Sequence, residues 1–360
     1  MARARVPSYH DAMGSAAGTA RAWGMPLVAV VASAFLLSAC AQVPVDVLLP
    51  PKPTRPVGDG GPPTAVAFAP LRGTPADAAG LRHPSLAVKI DNHPGARPQL
   101  ALNRSDIVFE ELVEGGLTRY LVVWHSDVPE AVGPVRSIRP MDPAIVSPFG
   151  GVIAYSGGQE YFVDLMKATS LVNLVFDEDD TGLFERAADR PGPHDVILDA
   201  TEAVGRNAEL PPPPVQFAFG SGDPLASPAL AAASTTHLAL AFSEGGSRSW
   251  DFDAGASAWL RSQDGEPDLE ASGERVRATN VVTLRVGVDW PFGEVPLTIL
   301  VGSGEAWVSV AGRTAHGTWS KDAEASPIVL TADDGSVLRL APGNTWVELV
   351  PLEGSVAFAP

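Results

Sequence analysis

The chain has one cysteine, Cys40, in 360 residues, so no disulfide framework can hold its fold. It lacks a hydrophobic run of spanning length. The apolar stretch Met25–Leu37 is broken by Ser33, whereas a transmembrane helix needs about 20 apolar residues. Positive charge is scarce as well. The formal net charge is −17 and only four lysines occur. Setting aside Arg3, Arg5, Arg21 and Asp11, residues 40–360 carry 22 basic and 41 acidic side chains, a net of −19. That balance excludes a nucleic-acid partner, which needs a basic footprint, and electrostatic attraction to anionic lipid. Familiar catalytic signatures are missing. There is no G-x-S-x-G elbow to make Ser156 a nucleophile, no S-x-x-K, no H-E-x-x-H and no Walker loop. No repeat of 20–50 residues occurs. Gly and Pro together number 69, short of the roughly 25–30% that marks a disordered chain.

What is present begins with the leader. Arg3, Arg5 and Arg21 precede the apolar run, which ends at Leu37-Ser38-Ala39-Cys40. A basic region, a short apolar core and small residues at a cleavage point make a signal peptide over residues 1–40. Basic residues ahead of the core direct the following chain across the membrane, whether translation starts at Met1, Met13 or Met25. The end of the run resembles the lipobox of bacterial lipoproteins. It predicts acylation of Cys40, with palmitate among the chains, and anchoring on the outer face of the cytoplasmic membrane. Each buried CH₂ contributes about 0.8 kcal/mol, so two or three chains hold durably. Secretion with cleavage nearby is the alternative. An acylated Cys40 is no catalytic thiol, which excludes the cysteine class of envelope transpeptidases.

Residues 41–64, AQVPVDVLLPPKPTRPVGDGGPPT, have neither helical nor strand period and read as a Pro/Gly-rich stalk. Residues 65–210 read as a mixed α/β domain. Leu86–Ile90 predicts a buried strand. Asp106–Val113 and Thr118–His125 predict a hairpin closed by Glu114-Gly115-Gly116. Val152–Tyr155 and Leu171–Phe176 predict further strands, and Gln159–Ala168 and Asp199–Ala208 predict helices. Four prolines at 211–214 open a Pro/Gly/Ser/Ala-rich linker over 211–235. Residues 236–355 read as a β-rich domain of short strands with turns between them, holding Trp250, Trp259, Trp307, Trp319 and Trp346. Those tryptophans are core and edge aromatics or, alternatively, a carbohydrate-stacking platform. The expected class is α+β, an α/β domain followed by a β-rich one.

Several segments together resemble the YerB-like bacterial lipoprotein family, a domain family of unknown function. In the first domain these are PLRGTPADAAG, LAVKIDNHPGARPQ, DIVFEELVEGGLTRYLVVWHSD, GPVRSIRP, AYSGG and RPGPHDVILD. In the second they are WDFD, ATNVV, GTWSK and APGNTWVELVP. The likeness covers nearly all of 66–352. One departure is Asp195, where the family pattern has Asn after the His of its PH motif. The resemblance implies a bacterial surface lipoprotein with a two-part fold and no established reaction.

Ten polar residues inside apolar segments form the candidate site: Asp91, Asn92, Arg97, Glu110, Glu114, Arg119, Arg136, Arg139, Arg186 and His194. Asp91 and Asn92 follow directly on a buried strand, where polar side chains commonly line a site. Arg136 and Arg139 carry guanidinium forks suited to a carboxylate or phosphate. Three readings stand: structural ion pairing, a pocket for an anionic or polyhydroxylated envelope ligand, and an active site with Asp91, Glu114 and His194 in acid–base roles. His194 is the best acid–base candidate by its ordinary titration range, and a hydrogen-bonded structural histidine is its alternative. His93 and His125 are weaker candidates. Asp177–Gly182 has oxygen ligands at positions 1, 3, 5 of a calcium loop and Gly at 6, but the position that demands Glu is Ala188, so no EF-hand is expected. A solvated acidic turn is the reading there. No metal and no cofactor are expected. The lack of a complete catalytic constellation beside a cluster of binding-type residues favours an envelope ligand-binding or scaffold module, with a hydrolase or transferase acting on an anionic or glycan substrate as the rival.

Overall fold

The computed structural model describes residues 66–360. The leader, Cys40 and the 41–64 stalk lie outside the described residues.

The first half supplies β1 (Leu86–Asp91), β2 (Ile107–Leu112), β3 (Thr118–Trp124), α1 (Asp142–Val146), β4 (Val152–Tyr155), α2 (Glu160–Lys167), β5 (Val172–Val175) and α3 (Ala200–Gly205). The second half supplies β6 (His237–Ser243), β7 (Gly246–Asp253), β8 (Ala258–Gln263), β9 (Asn280–Phe292), β10 (Gly302–Val310), β11 (Arg313–Lys321), β12 (Thr345–Pro351) and β13 (Ser355–Ala359). Short pairs of strands fill the remainder. The class is α+β in a coarse sense only. The first half is richer in strand than the expected α/β mixture, because α1, α2 and α3 run to just 5, 8 and 6 residues.

Local chemistry explains the elements. β1, LAVKID, and β3, TRYLVVW, are buried along their whole length, as strands covered on both faces must be. The β2–β3 hairpin closes through Gly115 and Gly116, whose φ of 68° and 72° lies where a Cβ would be strained. Asp199 caps α3 by accepting the Glu202 N–H at 2.8 Å.

One twelve-stranded sheet runs through the molecule, with β11-β10-β9-β12-β2-β3-β1-β4-β5 as its spine. Strands from both sides of the 211–235 stretch belong to it. β12 lies parallel to β9 on one side and parallel to β2 on the other, with Glu348 opposite Glu110. A second sheet of six strands contains β8-β7-β6-β13.

Alternation along the strands sorts two cores. Ala87, Phe109, Leu121, Ile153 and Leu284 face α1 and α2, where Ile145, Phe162 and Met166 meet them. Val88, Val108, Val122, Val281 and Trp346 face the second sheet and α3, meeting Leu238, Trp250 and Ala203. Trp250, Trp259, Trp319 and Trp346 are buried core aromatics. Trp307 is half-buried against Phe358, with ring centroids 5.2 Å apart.

Candidate functional site

Register decides where the polar residues go. Asp91 on β1 and Glu111 on β2 both sit opposite Arg119 on β3, so these three share the helix-side face. Glu110 sits opposite Tyr120 and faces the second sheet. Neighbours in sequence therefore part company.

On the helix side, at the carboxyl ends of β1 and β2, lies a cleft of 280 Å³ lined by Asp91, His93, Glu114, Thr118, Arg119, Arg136, Arg139 and His194, among others. GPVRSIRP reaches it because its backbone is stitched across strand ends. Pro134 O accepts from Asp91 N–H, Arg136 N–H bonds Lys89 O, and Ser156 N–H bonds Arg136 O. The two arginines three residues apart thereby arrive beside Arg119.

Asp91 is the hub. Its carboxylate accepts the His93 N–H at 3.1 Å and meets His194 Nδ1 at 2.7 Å and Arg136 Nε at 3.1 Å. Burial works to raise its pKa, but the His93 and His194 hydrogen bonds and the charges of Arg119 and Arg136 outweigh it and hold the carboxyl below its ordinary value. Contact with an ionised carboxylate makes Nδ1 of His194 the proton-bearing nitrogen, leaving Nε2 without a partner among the described residues. The His93 ring stacks on that of His194 at 4.6 Å, 8° from parallel.

Arg139 Nε donates to Glu114 at 2.8 Å and its Nη1 to the Ile138 carbonyl at 2.7 Å. Burial opposes ionisation of Glu114, yet Arg139 holds that pKa down. Arg119 differs. It is 9% exposed, and its guanidinium has one hydrogen bond, Nη1 to Ser137 O at 2.7 Å. Among the described residues no carboxylate pairs with it. Burial, then repulsion from Arg139 and Arg136, against the attraction of Asp91 and Glu114, lowers its pKa to about 10, so it remains cationic near neutral pH.

The other candidates go elsewhere. Glu110 is fully buried and held by Arg248 at 2.8 Å and by Arg261, and the Thr118 hydroxyl donates to it at 2.6 Å. Arg261 also pairs with Asp268 and lies 5.0 Å from the Trp346 ring centroid. Asn92 donates to Thr118 at 2.7 Å and accepts from Arg97, which reaches on to Asp264 at 3.3 Å. Arg186 is a surface residue, paired with Asp195 at 2.8 Å and set over the Phe176 ring. The ten candidates thus divide between the cleft and a closed ion network between the sheets, with Arg186 apart on the surface. His125 belongs to neither and lies buried beside Leu81 O and His83 O. In the acidic turn, Asp179 accepts from the Thr181 N–H and hydroxyl.

Sequence reasoning undervalued His93 and missed Arg248, Arg261, Asp268 and Glu348. The period of two was the available signal for separating Glu110 from Glu111 and Asp91 from Asn92. Nothing local announces the long-range partners.

Residues 71–210 match the family described as the N-terminal domain of a protein of unknown function, DUF3048, and residues 238–347 match its C-terminal domain. "Putative lipoprotein YerB" of Bacillus subtilis (strain 168) is 28% identical over 300 residues, spanning 79% of this chain and 86% of that protein. The crystal structure of the YerB protein from Bacillus subtilis shares the fold, with a TM-score of 0.71 at 23% identity over 81% of this chain and 99% of that one.

Proposed function

Because this chain belongs to the DUF3048 family, whose two parts it carries in order, we propose that it is an exported lipoprotein that binds an anionic group of the cell envelope in the Arg119–Arg136–Arg139 cleft. Acylated Cys40 ties it to the outer face of the cytoplasmic membrane. The leader and a relative named as a lipoprotein support that anchor. Among the described residues no helix is long and apolar enough to cross a membrane.

The observation that carries the binding reading is Arg119. A buried cation costs several kcal/mol unless an anion or strong acceptors meet it. Here two further arginines crowd it, while Asp91 and Glu114 already serve Arg136 and Arg139. An anion in the cleft relieves that repulsion.

Two measurements test this. Cys40→Ser should move the protein from membrane to soluble fractions and abolish palmitate labelling, and retention with label would sink the anchor. The melting temperature of the detergent-purified full chain should rise with a binding anion, which adds about 2.7 kcal/mol of stability at a hundred times its Kd. Arg119→Gln should remove the rise. No shift with phosphate, carboxylates or muropeptides defeats the cleft reading.

A second reading has its own observation. The Asp91–His194 contact at 2.7 Å orients an imidazole as a general base, as a hydrolase or transferase requires. Turnover of a chromogenic ester or phosphoester that His194→Gln abolishes would favour it, and equal background in both proteins would reject it.

A further inference from the structure

We infer, resting on the anion-cleft reading, that the group received there is a terminal phosphate, the doubly charged end of a phosphomonoester or free phosphate. A carboxylate or a phosphodiester fits less well.

Among the described residues, Arg119 Nε and Nη2, Arg136 Nη1 and Nη2, and Arg139 Nη2 have no hydrogen-bond partner. These donors belong to three separate guanidinium groups that line one cleft. A carboxylate presents two oxygens in one plane, which a single guanidinium fork pairs bidentately. A phosphodiester has two unesterified oxygens and one charge. A terminal phosphate has three acceptor oxygens splayed apart and a charge of about −1.5 to −2 near neutral pH. Of the three, it alone offers one free oxygen to each guanidinium.

Charge calls for an anion. Asp91 and Glu114 offset Arg136 and Arg139, leaving Arg119 in excess, and the single Asp91 carboxylate is shared between Arg136 and His194; the count of acceptor oxygens is what separates a phosphate end from the other two anions. The cleft volume of 280 Å³ falls just below the range of ligand pockets, about 300–1,000 Å³, and suits a head group better than a glycan chain. The net charge of the whole chain, −17, repels long polyanions, so a phosphodiester polymer approaches poorly where a small phosphate end does not.

Titration calorimetry on the detergent-purified full chain, at one ionic strength, compares inorganic phosphate, glycerol 3-phosphate, dimethyl phosphate and acetate. Inorganic phosphate, glycerol 3-phosphate or both should bind at least about tenfold more tightly than dimethyl phosphate or acetate. Tight binding of glycerol 3-phosphate identifies an ester source, and binding of inorganic phosphate alone identifies free phosphate. Arg119→Gln and Arg136→Gln should each weaken the tight ligand by about tenfold or more, while Arg186→Gln leaves it unchanged. Arg136 is a quarter exposed, so its variant serves if Arg119→Gln fails to fold. Acetate or dimethyl phosphate binding as well as the phosphate ends overturns this inference and leaves the anion cleft standing. Binding of none of the four overturns both.

Discussion

Glu110 and Glu348 lie side by side between the sheets, both without solvent exposure, and replacing each by glutamine should have opposite consequences. Burial opposes ionisation of Glu110, but Arg261, Arg248 and the Thr118 hydroxyl hold its carboxyl well down, so it is the anion of the network. Burial and the neighbouring Glu110 charge push Glu348 upward against the pull of Arg261, so it keeps its proton through the ordinary carboxylate range. Glu110→Gln leaves Arg248 and Arg261 short of a charge partner. Breaking a buried pair this way costs about 3–5 kcal/mol, and ionisation of Glu348 in response should hold the loss near about 3. Glu348→Gln supplies an amide oxygen for the Trp250 N–H, which Glu348 accepts at 2.7 Å, and removes the group the site resists charging. It should change stability by less than about 1 kcal/mol at pH 5. A carboxyl raised by folding lends stability below its unfolded pKa that is lost as pH climbs toward its folded one, so Glu348→Gln should gain on the unsubstituted chain between pH 5 and 8. The double variant should lose about 1 kcal/mol or more beyond the sum, because no carboxyl remains to ionise in compensation. Urea unfolding of the full chain, followed by tryptophan fluorescence, reads all three. Equal losses for the two single variants at pH 8 would refute the charge assignment.

Lys89 is buried with Glu111 and Asp142 as its partners, so Lys89→Met should cost about 3–5 kcal/mol at pH 7. Burial and the Asp142 charge push the Glu111 carboxyl up to about 8 against the pull of Lys89, so Asp142 is the partner stranded by the loss, and an unchanged urea midpoint would contradict the pairing. Gly151 holds φ at 74°, and a Cβ there would stand 2.5 Å from the Ser85 carbonyl oxygen. Gly151→Ala should lower stability by about 2 kcal/mol or more, and an unchanged denaturation midpoint would show that the turn is not held as described. Arg186→Ala removes an exposed ion pair with Asp195 and should shift stability by less than about 1 kcal/mol. A larger loss by thermal melt would mean that the pair is shielded from solvent.

Much of the local structure was legible. The hairpin across Gly115-Gly116, β4 and α2 follow from glycine conformational freedom and from periods of two and 3.6, which are properties of neighbouring residues. Six of the ten candidate residues, Asp91, Glu114, Arg119, Arg136, Arg139 and His194, share the cleft. Arg186 was not separable from them. Its partner Asp195 and its place over Phe176 depend on a strand pairing, Arg186 opposite Val196, that no local period specifies.

The sequence by itself determined that residues 66–360 must fold without disulfides, that strands dominate the second half, and which side chains carry charge. These are matters of composition and short-range spacing. Tertiary structure decided the rest. It laid β12 between β9 and β2, making one sheet from both halves. It turned Glu110 and Glu111 to opposite faces, and it found Arg248 and Arg261 to neutralise the former. It also left Arg119 in a cleft where, among the described residues, no carboxylate pairs with it. The physical reason is that a buried charge is fixed by its partners, and these partners lie more than a hundred residues away in the chain.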